Sequence, residues 1–395
     1  MDIKNIYYFL SSSRSFCIHI VFTLNAIYYV SQADLNPLQL VLVGTIMELA
    51  ILFFEIPTGL VADFWGRKKS FIIGTFIIGV AHLLEGSFPE FWAIAIGAAL
   101  WGIGWTFISG AETAWIADEL ENNELDLVFL KGARYGSVGS FLGIIVSVLL
   151  ATAFSVQMAI LIAGGLLVVI AMVSIRIVPE TKFVRMASEE ATGFQQMLRA
   201  LKSGITQIKG NSILLGLAAI TLFVGLASEG FDRLWGTHFI EGFQLDTEKA
   251  VYWFGAFYAI AFLLNIGILK VVETYVKKRF TDVLLVLNGL LVLTMLLFAM
   301  SETFLLAIVL YWVIASLRAV NSPLITVVTN QQLQSQGRAT ALSMYGQLDA
   351  FGQVAGGPLV GMVALYTSIQ GGLMMSALLI IPTVFFLWKM RKLAS

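Results

Sequence analysis

Long apolar runs fill most of the chain, and short polar stretches punctuate them. A helix needs about 20 mainly apolar residues to cross the hydrocarbon of a bilayer. The runs predict membrane spans near 16–33, 38–62, 70–88, 91–118, 132–153, 157–178, 211–236, 250–272, 283–300, 303–328, 338–366 and 368–388. Several connections, such as Ser87-Phe88-Pro89-Glu90 and Ser301-Glu302, are so short that they force antiparallel hairpins.

The longest polar segment is 179–210, and Pro179 ends the sixth span. It carries Lys182, Arg185, Glu189, Glu190, Arg199, Lys202 and Lys209, interleaved with Phe194, Met197, Leu198, Leu201 and Ile205. That spacing suits an amphipathic helix lying on the membrane face. The expected organisation is a six-span bundle over 1–178, a cytoplasmic linker over 179–210 and a second six-span bundle over 211–395.

Composition sharpens the class. Hydrophobic residues make up 58% of the chain and charged residues 12%. Mean hydropathy is +0.86. A soluble domain carries roughly twice that charge, so the chain reads as a polytopic membrane protein. A formal net charge of −1 gives no basic character to suggest nucleic acid. The single cysteine, Cys17, excludes an intramolecular disulfide and a cysteine-based zinc site. No cleavable signal is expected, and the first helix serves as the insertion signal. Among the 24 Lys and Arg, only Lys249 falls in a loop on the side opposite the rest, while Arg233 and Arg318 fall within spans. The positive-inside rule then expects both termini in the cytoplasm and the protein in the cell membrane.

Residues 55–69 read Glu-Ile-Pro-Thr-Gly-Leu-Val-Ala-Asp-Phe-Trp-Gly-Arg-Lys-Lys. Gly59 allows close helix approach, and Gly66 permits a turn that a side chain would obstruct. Arg67, Lys68 and Lys69 hold the loop at the surface, and Asp63 is a carboxylate at a helix end that needs a cation or a helix N-terminus. The run Gly59–Lys69 resembles the G-x-x-x-D-x-x-G-R-K-K loop of the major facilitator superfamily, and its lead-in resembles the bacterial drug:proton antiporter branches that export tetracycline and macrolides. Gly337-Arg338-Ala339-Thr340 also looks like the efflux branch. Antiporters of that branch carry a Gly-Pro motif in span five, whereas here Gly356-Gly357-Pro358 lies in span eleven.

The resemblance implies an all-α membrane protein with twelve transmembrane helices in two six-helix bundles, the major facilitator fold. It implies gating residues Asp63, Gly66, Arg67, Asp118 and Arg338, with Asp63 facing the start of span eleven and Arg67 reaching Asp118. It also implies that spans one, four, seven and ten line a central cavity and that spans two and eleven meet.

Ionisable residues within spans are expensive and normally face a partner or water. Glu48 and Asp349 fall near the midplane of spans two and eleven, where two carboxylates could share a proton or each hydrogen-bond a neighbour such as Thr45 or Gln347. Glu112 and Arg318 either bridge the cavity, pair within their own bundles, or leave Glu112 to anchor a cationic solute. Glu229, Asp232 and Arg233 share one face of span seven. The proton-coupling candidates are Glu48, Glu112, Asp349, Glu229 and Asp232. The substrate-cavity candidates are Asn25, Tyr28, Trp105, Glu112, Arg318 and Asn321. His82 reads as a satisfied membrane histidine. Trp92, Trp235, Trp312 and Trp388 read as interface anchors. Glycines at 132, 136, 139 and 143, and at 352, 356, 357 and 361, have the small-x-x-x-small spacing of close helix crossings.

These features fit a secondary active transporter that couples protons to efflux of amphipathic small molecules by rocker-switch alternating access. The alternatives are a transporter of an endogenous metabolite, siderophore or lipid, or a non-transporting receptor or scaffold. No nucleophile–base pair, phosphate loop or metal-ligand cluster is legible, so an enzyme is not expected, nor a cofactor or bound metal. The expected partners are a small-molecule substrate, protons and the lipid bilayer, with the protein acting as a monomer.

Overall fold

The structure, a computed structural model, describes residues 2–120, 125–183, 205, 208–333 and 338–394, without the side chains of 338–340 and 393–394. The predicted amphipathic linker helix falls mostly on 184–204, and both Gly337 and the Arg338 side chain belong to the same category: all lie outside the described residues.

The described chain is helical. Its long helices are α1 (Ile3–Ser31), α2 (Pro37–Trp65), α3 (Arg67–Ser87), α4 (Phe91–Ile108), α5 (Ala111–Glu119), α6 (Leu125–Ala153), α7 (Val156–Ile177), α8 (Ser212–Gly242), α9 (Thr247–Tyr275), α10 (Phe280–Ala299), α11 (Phe304–Gln332), α12 (Arg338–Tyr366) and α13 (Ile369–Ala394). Among the described residues, 11 segments can cross a membrane by length and composition, with α4 and α5 counting as one. The helix outside that set is α1, whose 29 residues carry Arg14, His19 and Asn25. Large apolar side chains such as Phe53, Leu130 and Leu305 are at least 70% exposed, as lipid-facing surface requires.

Helices run past the predicted spans at several ends, notably at the start of α1 and α6 and the end of α8. Backbone hydrogen bonding continues wherever the helix remains the cheapest partner for the peptide groups, whether or not the side chains are apolar. The other difference is a break in span four. Gly110 has φ 76°, a left-handed conformation suited to glycine, and separates α4 from α5. The break places Glu112 in the first turn of α5, where unpaired N–H groups favour a carboxylate.

The chain divides into two compact units. Unit 1 comprises Met1–Asn36, Ile46–Met186 and Gln244–Ala259, and unit 2 comprises Pro37–Thr45, Ala187–Phe243 and Ile260–Ser395. Within unit 1, α1 packs on α6 and α7, and α3 packs on α4 and α7. Within unit 2, α8 packs on α12 and α13, and α10 packs on α11 and α13.

Glycine seams draw the tightest pairs together. A Cβ on Gly139 or Gly143 of α6 would run into the Ser12 or Phe16 carbonyl of α1. A Cβ on Gly356 of α12 would meet the Leu226 carbonyl of α8. Lipid supplies no hydrophobic drive between helices, so this close backbone approach is what holds them.

Candidate functional site

In unit 2, three helices bring charged side chains to one cavity. Its volume is about 330 Å³, and its lining includes Phe231 and Asp232 of α8, Arg318 and Asn321 of α11, and Asp349 and Gln353 of α12. Arg318 donates two hydrogen bonds to Asp232, at 2.5 and 2.7 Å, in a fork-to-fork arrangement. Its guanidinium carbon also lies 5.4 Å from the centre of the Phe231 ring. Asp349 accepts from the Gln353 amide at 2.9 Å, a neutral partner one helical turn away. A second cavity of about 340 Å³ adjoins the first, shares Val224, Ser322 and Asp349 with it, and adds Thr221, Thr326, Thr329 and Tyr345.

A polar scaffold stands behind this wall. Asn321 is 4% exposed and accepts a 2.9 Å hydrogen bond from Asn288 of α10. The Asn288 carbonyl oxygen in turn accepts from Thr383 of α13 at 3.1 Å. Asn321 therefore lines the cavity while being held from behind, which fixes the face that α11 presents. Elsewhere on α8, Arg233 donates to the buried Glu229 at 2.7 Å, one turn apart. A Cβ on Gly44 of α2 would collide with that Glu229 carboxylate.

In unit 1, Glu112 accepts a hydrogen bond from Arg14 of α1, and both side chains are about nine-tenths buried. The second Glu112 oxygen, Oε1, has no hydrogen-bond partner among the described residues. A parallel stack of Trp101 and Trp105, 5.6 Å apart, extends along α4 and meets Phe22 of α1. Asn25 is half-buried, with an unpartnered Oδ1 among the described residues. Tyr28 is fully buried and donates to the Glu85 carbonyl at 2.6 Å, so its hydroxyl points into the helix packing and not toward a cavity.

Sequence-predicted residues are thus redistributed among partners. Glu112 and Arg318 do not need one another, because each has an ion-pair partner inside its own unit, Arg14 and Asp232 respectively. Glu48 is half-buried on α2 and belongs to unit 1, whereas Asp349 belongs to unit 2. His82 contacts the buried Glu85 at 2.6 Å, and Tyr29 donates to the other Glu85 oxygen at 3.0 Å. Trp235 is 5% exposed and stacks on Tyr311 at 4.3 Å, so it packs inside unit 2 and does not anchor at an interface. Trp92 is 73% exposed, and Trp388 lies under Lys392.

At the α2–α3 turn, Gly66 has φ 110° and no room for a Cβ beside Glu180. Arg67 donates to Asp118 and, at 2.8 Å, to the Ala114 carbonyl. The Glu180 carboxylate accepts from the Lys68 amide at 2.9 Å, and Glu119 accepts from Thr181 and Lys182. Asp63 is half-buried near the end of α2.

Arg14, Glu85, Glu119 and Glu180 carry polar contacts that sequence reasoning missed. Arg14 was placed before the first span, and only the early start of α1 carries it into the packing. Glu85 stands near the end of α3. Its burial partner, His82, sits three residues earlier, and that spacing was the available signal.

Comparison with known proteins agrees with this architecture. Residues 7–356 match the family described as Major Facilitator Superfamily. An uncharacterized MFS-type transporter of Bacillus subtilis (strain 168), YxaM, is 25% identical over 97% of this chain and 93% of its own length. Among solved structures, the nucleoside transporter NupG is 15% identical with a TM-score of 0.80, covering 99% of this chain and 100% of that one. A peptide transporter, POT, in complex with sulfate is 12% identical with a TM-score of 0.76, covering 99% of this chain and 94% of that one. Identities this low speak for a shared fold alone.

Proposed function

The chain belongs to the major facilitator superfamily and is a multi-pass membrane transporter, not an enzyme; from that premise we propose that it exports amphipathic small molecules in exchange for protons, by rocker-switch alternating access. The observation that carries the proposal is the unit 2 cavity, where a carboxylate, a clamped arginine and an aromatic ring line one space. A coupling carboxylate must gain and lose a proton without unpicking the fold. Asp232 and Glu229 are each held to an arginine, so protonating either one breaks an ion pair. Asp349 is held by an amide and lines both cavities, which makes it the preferred proton carrier.

Phe231, Leu291, Met295 and Ile380 supply apolar surface for the hydrocarbon part of a solute, and a volume of about 330 Å³ suits a small molecule. In this reading Asp63, Gly66, Arg67, Asp118 and Arg338 form the gate, both termini are cytoplasmic, and the protein works as a monomer in the cell membrane. Purified protein in liposomes tests it. An imposed pH gradient should drive a cationic amphipathic dye, a protonophore should stop it, and Asp349→Asn should uncouple dye movement from the gradient. Dye flux equal to that of empty liposomes, or indifferent to gradient collapse, would remove the export reading.

A second reading rests on the polar side of the same lining, Ser228, Asn321, Ser322 and Gln353. These groups suit a small hydrophilic metabolite, and a nucleoside, the substrate class named for NupG, is one to test. Saturable nucleoside uptake with no dye transport would favour it.

A further inference from the structure

Unit 2 holds a second, unrelated feature at the end of the bundle where α9 stops and α10 begins. An apolar groove of about 450 Å³ opens among α9, α10 and α11, lined by residues such as Leu264, Ile268, Val272, Leu287 and Val313. From Leu264 to Val272 it follows roughly 12 Å of helix, at about 1.5 Å per residue. Its lower end is Val283, and Val283 also lines a polar pocket of about 440 Å³ that includes Lys278, Arg279, Asp282 and Arg391. Hydrocarbon-lined space thus passes directly into a basic pocket.

The charges there are arranged, not scattered. Asp282 forms ion pairs with Arg279 at 2.6 Å and with Arg391 of α13 at 2.9 Å, each through the Nε edge of the guanidinium. One carboxylate thereby holds two arginines beside Lys278 and leaves the pocket with an excess of positive charge. Both arginine side chains are more than half exposed, so they are open to an incoming anion and not consumed by the fold. The first turn of α10 opens at the same place, with Arg279 as its N-cap in a left-handed conformation and no side-chain cap.

We propose that this paired groove and pocket bind one anionic phospholipid, its acyl chain along α9–α11 and its phosphate on Lys278, Arg279 and Arg391. The chemistry commits to that occupant. A neutral soluble ligand would gain nothing from the basic pocket, and a free anion would leave the groove uncovered. Basic pockets at the headgroup level of a helical bundle recognise anionic lipid by this combination of apolar burial and charge. Nothing in the site depends on the transported substrate or on the coupling ion.

Thermal unfolding of the full chain in neutral detergent tests the proposal, with phosphatidylglycerol, phosphatidylcholine or inorganic phosphate added. Phosphatidylglycerol should raise the unfolding midpoint most, phosphatidylcholine less, and inorganic phosphate not at all. The Lys278→Gln/Arg391→Gln double variant should bind phosphatidylglycerol roughly tenfold more weakly while keeping its response to phosphatidylcholine. Val313→Trp, which fills the groove, should blunt the response to both lipids. Native mass spectrometry of the parent protein, and of single Lys278→Gln in the exposed turn, covers the case in which the double variant does not fold. Equal stabilisation by the two lipids would mean bulk lipid only, a full response to inorganic phosphate would mean an anion site only, and an unchanged lipid preference in Lys278→Gln and the double variant would place the headgroup elsewhere. Each of these overturns the proposal.

Discussion

Units 1 and 2 are held by the same device and differ in where they put their charge. In each, a glycine-bearing helix lies against the unit's leading long helix, α6 on α1 and α12 on α8, close enough that a Cβ would strike a carbonyl. The interior charges then diverge. Unit 1 seals Arg14–Glu112 and His82–Glu85 into its packing. Unit 2 also packs one such pair, Glu229–Arg233, but sets Asp232, Arg318 and Asp349 around open volume. Removing one partner of the Arg14–Glu112 pair, which joins α1 to α5, would leave a buried charge uncompensated, because neither ion has water to retreat to. A pair facing a cavity can exchange partners with water, protons or a solute. The packing is repeated and the charge is not, and the proposed function assigns proton handling to unit 2.

The largest expected effect tests the sealed pair. Arg14→Ala should destabilise the protein by about 3–5 kcal/mol, measured by unfolding in detergent, because Glu112 is left as a buried lone charge. Arg14→Met combined with Glu112→Leu should restore most of that loss. Arg318→Ala should cost clearly less stability, since Asp232 faces open volume; an equal loss would erase the contrast between the units.

The shared seam comes next. Gly139→Val and Gly356→Val should each cost about 1–3 kcal/mol by overpacking a backbone contact. Similar losses would support one packing plan used twice, whereas a silent Gly356→Val would leave the seam to unit 1 alone.

Asp349→Asn should change stability by about 1 kcal/mol or less, since an amide can keep the Gln353 hydrogen bond. Its effect should appear in transport, as lost response to a pH gradient in liposomes. A large loss of stability with intact coupling would move the proton site elsewhere.

The smallest effect is a control outside the spans. Hydrogen bonds from the Lys249 side chain and backbone hold the Asp246 carboxyl below the usual carboxylate range. A carboxyl lowered in this way adds stability above its unfolded pKa and loses it as pH falls through the folded value. Asp246 is on the surface, where salt and water screen the pair. Acid unfolding profiles of the parent and Asp246→Asn should therefore superimpose, and a visible gap would show that this connection carries load.

The sequence by itself determined that the chain is a helical membrane protein and named its family. Runs of about 20 apolar residues admit few structures in lipid, because every backbone group must be satisfied within its own segment. The loop at 55–69 could be read in part for a related reason: Gly66, with φ 110°, meets a local conformational demand, whereas the Arg67–Asp118 contact, 51 positions apart, was legible only through the family resemblance. Glycine spacing on α6 and α12 likewise marked the seams before any packing was known. Only the tertiary structure decided which charges meet. Arg14 finds Glu112 across 98 positions and Arg318 finds Asp232 across 86, and nothing in either local sequence selects those partners over the other carboxylates at similar depth. Partner choice depends on helix rotation and crossing, which the side-chain packing of whole bundles sets, and a linear pattern of polar and apolar positions carries only the period of each helix.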